Sequence, residues 1–159
     1  MLIRRTRTLF ASLLAVTALG GAFAQQDLVI AVGTDAVTLD VHAVTDTPTF
    51  NVTGHIFETL FVLTPEGNVA PHLATGYEIN DDGTIVSLTL RDDVTFHDGT
   101  PFNAEAVKAN IERIKNPELA NAFATLVGNV ESVEVTGEFT VDLHLPGPFA
   151  PLLPHLTHA

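Results

Sequence analysis

The chain has 159 residues, a net charge of −12 and no cysteine. Its length suits one domain of ordinary size, and its acidity excludes a protein built to grip phosphate backbones, so no nucleic-acid partner is expected. Without cysteine there is no disulfide framework and no thiol for a lipid anchor, while an apolar content of 46% in clear patterns excludes disorder.

The chain opens with Arg4, Arg5 and Arg7 and no acid, followed by an apolar run over residues 9–19. That run is shorter than the roughly 20 residues a bilayer span requires. Gly20 and Gly21 lead to Ala22-Phe23-Ala24, an A-x-A exit. Charged start, short apolar core and small-residue exit make a secretory signal, predicted to be cleaved after Ala24. The remainder keeps Arg91, Lys108, Arg113 and Lys115 against all 19 acids, a net charge of −15. The compartment expected is the periplasm, with no lipid anchor.

Residues 28–32 are a short apolar, β-branched run ending at Gly33 and predict a buried strand. Residues 34–44 lack a period and predict a loop. A helix is predicted over residues 45–60, capped by Asp46 or Thr47, with Pro48 in its first turn. Val52, Ile56, Phe57 and Leu60 would form its apolar stripe. Residues 61–63 are extended and stop at the turn Thr64-Pro65-Glu66-Gly67-Asn68.

Two runs around Asn80-Asp81-Asp82-Gly83 predict a hairpin. In the second, Val86, Leu88 and Leu90 alternate with Ser87, Thr89 and Arg91, the mark of a half-buried strand. Asn103 is a good cap for a helix striped by Val107, Ile111 and Ile114. Glu105 in its first turn and Arg113 and Lys115 in its last suit the helix dipole, and Lys108 and Glu112 are spaced to pair. Asn116-Pro117 ends it, and a shorter helix is predicted over residues 118–126. Residues 130–135 and 139–145 predict a second hairpin around Thr136-Gly137-Glu138. Residues 146–154, with four of the nine prolines, lead through a turn into a short helix.

Catalytic chemistry is poorly supplied. Ser87 and Ser132, the serines after the signal, lie in predicted strands and outside any G-x-S-x-G elbow. The seven histidines are scattered; His155 and His158 are three apart but lack a nearby carboxylate or cysteine, a weak zinc signal. Asp81-Asp82 and Asp92-Asp93 are adjacent pairs, which face water more readily than each other across a substrate. There is no phosphate loop or dinucleotide fingerprint. Nothing implies a cofactor, a metal or an enzyme. His97-Asp98 could be read as an acid–base pair. The physical reading is stronger: Asp98-Gly99 makes a tight turn, Asp98 accepts from backbone N–H groups ahead of it, and Phe96 and Phe102 flank it as apolar anchors.

The run from Leu88-Thr89-Leu90-Arg91 through Phe96-His97-Asp98-Gly99-Thr100-Pro101-Phe102-Asn103-Ala104-Glu105-Ala106-Val107 resembles the signature of family 5 bacterial solute-binding proteins. Gly33-Thr34-Asp35, Leu39-Asp40, Glu58-Thr59-Leu60 and Val69-Ala70-Pro71-His72-Leu73-Ala74 agree, in the family's order. The resemblance implies a mixed α/β fold, the type II periplasmic binding-protein fold in part. It also implies a two-lobed receptor that closes over a solute and delivers it to an ABC permease. Members are much longer, so the chain is expected to be a fragment or truncated product. Residues 25–64 would start lobe I, residues 65–159 would form its small extra subdomain, and lobe II would be absent. By position the resemblance puts Thr34, Asp35, Ala36 and Val37 on the ligand cleft, where loop backbone can pair with an extended peptide. The expected partners are a peptide or related small solute and the permease, with the receptor monomeric. An exported hydrolase and a non-functional fragment are the competing readings.

Overall fold

A computed structural model describes residues 28–119 and 121–158. The chain divides into two compact units, Met1–Ala31 and Val32–Ala159. Of the first, only residues 28–31 are described, and the signal expected over residues 1–24 lies outside the described residues. No helix among the described residues is long and apolar enough to cross a membrane.

The expected strand over residues 28–32 does not form. The run has no regular structure, and Leu28, Val29, Ile30 and Val32 are 83, 88, 68 and 61% exposed. A strand is stabilised by a ladder partner, and among the described residues none pairs with this run. Residues 34–44 form the expected irregular loop.

The first helix, α1 (Thr47–Thr53), starts as predicted: the Asp46 side chain accepts from Thr49 N at 2.9 Å, and Pro48 stands in the first turn. It ends seven residues before the predicted end, with Gly54 as its C-cap. Glycine weakens a helix interior, and the supposed stripe turns inward only in part: Leu60 is buried and Val52 half-buried, but Ile56 is 39% and Phe57 48% exposed. β1 (Phe61–Leu63) and β2 (Val69–Pro71) then pair as a short antiparallel ribbon. Gly67 takes a φ of 82° in the connecting turn.

The main sheet has four strands: β3 (Ala74–Ile79), β4 (Ile85–Leu90), β5 (Ser132–Gly137) and β6 (Thr140–His144). Their order is β3-β4-β6-β5 and every neighbouring pair is antiparallel. Both predicted hairpins are present. The two-residue alternation decides which face is inside: Val86, Leu88 and Leu90 on β4 and Val141 and Leu143 on β6 are all buried. The outer face carries a polar row in register across all four strands, Glu78, Ser87, Asp142 and Glu134.

Helix α2 (Ala104–Lys115) covers the inner face at β5 and β6. Asn103 caps it, its side chain accepting from Ala106 N at 3.0 Å. Val107, Ile111 and Ile114 are buried as the spacing predicts. Each such side chain contributes roughly 1.5–3 kcal/mol by leaving water. Lys108 and Glu112 are not among the ion pairs of the described residues. Residues 121–130 are successive turns instead of the predicted helix over 118–126. The side-chain amide of Asn121 donates to Arg113 O at 2.8 Å and Ile114 O at 3.1 Å, satisfying the end of α2 and holding this stretch in another path. A last short helix, α3 (Leu152–His155), packs beside β1.

Candidate functional site

The four predicted cleft residues sit on one stretch of the irregular loop over residues 34–44, the front loop. Thr34, Asp35 and Val37 are exposed and Ala36 is half-buried. Asp35 Oδ1 accepts from Ala36 N at 2.8 Å, a local turn contact. Val37 N donates to the Thr49 hydroxyl on α1 at 3.2 Å. Further along, Thr38 Oγ1 accepts from Asp40 N at 3.0 Å and Asp40 Oδ1 from His42 N at 3.2 Å.

The same loop then enters a mainly apolar concavity of about 650 Å³. Val41 and His42 line it, with Phe50 and Phe57 from the α1 region and Phe96, Phe102 and Arg113 across from them. Residues 34–37 do not line it. The sequence hides this feature because the apolar spacing places Phe57, one of its lining residues, on a buried helical stripe. The signal was there in Gly54, which interrupts that stripe. Arg113 reaches back to the loop: its Nη2 donates to Asp40 Oδ2 at 2.5 Å and its Nη1 to His42 Nδ1 at 3.0 Å. That hydrogen bond from Arg113 holds the Asp40 carboxyl below its ordinary value, and burial followed by the Arg113 charge lowers His42.

The segment around Asp98 has the structural form expected. Asp98 Oδ1 accepts from Thr100 N at 2.9 Å and Thr100 Oγ1 at 2.7 Å, and Gly99 has a φ of 86°. Phe96 and Phe102 meet edge to face at 6.1 Å. The Thr100 contacts lower the Asp98 pKa, so at neutral pH it is a carboxylate accepting hydrogen bonds. Of the terminal histidines, His155 Nδ1 lies 2.8 Å from Leu126 O and His158 stacks on Phe123.

Residues 68–159 match the family described as bacterial extracellular solute-binding proteins, family 5 Middle. The glutathione-binding protein GsiB of Salmonella typhi is 39% identical over 137 residues, 86% of this chain and 27% of that protein. NikZ from Campylobacter jejuni, solved in complex with Ni(L-His), superposes with a TM-score of 0.72 at 27% identity, over 79% of this chain and 25% of its own. NikA from Brucella suis, solved with Fe(III)-EDTA, gives 0.68 at 33% identity, over 77% of this chain and 24% of its own. The chain therefore belongs to the family 5 bacterial extracellular solute-binding proteins, and its mixed α/β fold is that of part of a periplasmic binding protein. It spans about a quarter of the length of these relatives.

Proposed function

We propose that the chain contributes the beginning of a periplasmic receptor that captures a peptide or related small solute and hands it to an ABC permease. The family match over residues 68–159 carries this reading. Relatives with glutathione, nickel–histidine and chelated iron in their names suit a receptor for small polar solutes. In this reading residues 1–24 direct export and are cleaved after Ala24, leaving no lipid anchor. Residues 25–64 open lobe I and residues 65–159 form its small subdomain. Thr34, Asp35, Ala36 and Val37 line one wall of the cleft, and a lobe outside this chain supplies the other. Closure of the two lobes over the ligand, as a monomer, presents it to the permease. The apolar concavity between the front loop and α2 is a surface for the rest of lobe I to cover.

The test is calorimetric titration of the complete gene product with glutathione, a mixed peptide pool and nickel–histidine. Saturable binding of one class without turnover is expected. Hydrolysis of peptides or esters, or binding of none of the three, would overturn the receptor reading.

A further inference from the structure

We propose that Arg113 is a positioning residue for the front loop, clamping it to α2 through Asp40 and His42 only while His42 is neutral. A guanidinium has donors and no acceptor. His42 Nδ1, 3.0 Å from Arg113 Nη1, must therefore accept, which requires a neutral imidazole with any proton on Nε2. The other arm of the fork reaches Asp40 Oδ2 at 2.5 Å, across 73 residues of sequence. Asp40 Oδ1 takes the backbone N–H of His42, so both loop residues and the guanidinium form one connected set. The His42 carbonyl extends it by accepting from Ala122 N at 2.8 Å. The Arg113 side chain thus ties the front loop to the last turn of α2, and the His42 backbone carries the link on to the turns after it.

His42 is 5% exposed and its ring meets Phe123 edge-on at 6.2 Å. The ionisable groups around it are Arg113 from α2, Asp40 from its own loop, His158 on the Phe123 ring, and Glu58 on the same concavity. Asp40 favours the imidazolium; its other oxygen is already held by Arg113. Protonating His42 at Nδ1 sets two donors and two positive charges face to face. The attraction that closed the clamp becomes repulsion inside a site with little water to screen it. Burial, then the charge of Arg113, pull the His42 pKa below 6.5 despite Asp40. The neutral form is the one present at neutral pH. The clamp weakens as pH falls below 6.5 and through the lowered value.

Residues 34–37 are tied separately to α1 through Val37 N and Thr49. The clamp fixes the other end of the loop, so its release frees residues 38–43 and lets the exposed stretch shift about the Thr49 tie. That this affects ligand binding rests on the reading of residues 34–37 as cleft residues; the clamp itself does not.

The experiment is proton-detected NMR of the whole chain, carried from about pH 8 to about pH 4. It follows the His42 ring signal and the exchange protection of the Ala122 amide. Protection should fall at least about tenfold, with the midpoint of the His42 titration and below 6.5. Arg113→Lys offers one point charge for two acceptors and should lose the protection already at neutral pH. His42→Gln keeps an acceptor for Arg113 without titrating and should abolish the acid step. The proposal is overturned if His42 protonates while Ala122 stays protected, if Arg113→Lys is protected like the parent, or if His42→Gln keeps the acid step. The parent titration needs no variant to fold. A clamp that titrates as stated, beside a complete protein that binds no solute, sinks the receptor reading alone.

Discussion

Asp82-Gly83-Thr84 and Asp98-Gly99-Thr100 build the same turn twice. In each, the Asp Oδ1 accepts from the N–H and the hydroxyl of the Thr two residues on, and the glycine takes a positive φ, 71° and 86°. The two differ in their surroundings. A Cβ at Gly83 would lie 2.9 Å from Pro148 Cγ, whereas one at Gly99 would meet nothing within 4 Å. Gly99→Ala should therefore cost the backbone penalty alone, about 1–2 kcal/mol, and Gly83→Ala about 1 kcal/mol or more beyond it. Urea unfolding of the two variants measures the difference; equal losses would show that the Pro148 contact constrains nothing. The turn at Asp98 was legible in the sequence because its chemistry is local. The contact with Pro148 was not, since nothing in a turn tripeptide announces a proline 65 residues on. His42 was hidden for the same reason: it was one of seven scattered histidines, and its partner Arg113 is 71 residues away.

At the level of elements, α2 and the sheet were legible because their periodicities are carried by the residues themselves. Ile111 and Ile114 fall on the predicted stripe and are buried, and Asn103 caps where expected. The helix joins the core to a surface cap, so two substitutions should separate these roles. Ile111→Ala should lose about 2–5 kcal/mol through the cavity it leaves, and Asn103→Ala about 1 kcal/mol through one unsatisfied N–H. Thermal unfolding followed by circular dichroism reads both, and a cap loss equal to the core loss would contradict this account. The elements that sequence misplaced depend on groups elsewhere. Residues 28–32 have strand chemistry but no described ladder partner. Residues 121–126 take successive turns in place of the predicted helix, with Asn121 bound to the end of α2. The helix over 45–60 stops early at Gly54, a local signal outweighed by the apolar spacing beyond it.

For the molecule as a whole, the described residues carry an exposed candidate loop and an open apolar concavity, and the chain has about a quarter of its relatives' length. A loop contacting ligand from one side leaves most of a small solute in water, where affinity is poor because enclosure is missing. Residues 25–159 alone should give no saturable heat with a mixed peptide pool; saturable micromolar binding would refute this. The strand order has a kinetic consequence as well. β3–β4 and β5–β6 are hairpins closed by short turns, but the seam that joins them pairs Thr89 with Thr140. Closing that connection costs about 2 kcal/mol more than a hairpin turn by the logarithmic law for loops. The two hairpins can form early, and the seam waits for α2 and its following turns to bring β6 to β4. Refolding speed is thus governed at the centre of the sheet, where β4 meets β6 and the inward side chains of both strands are buried.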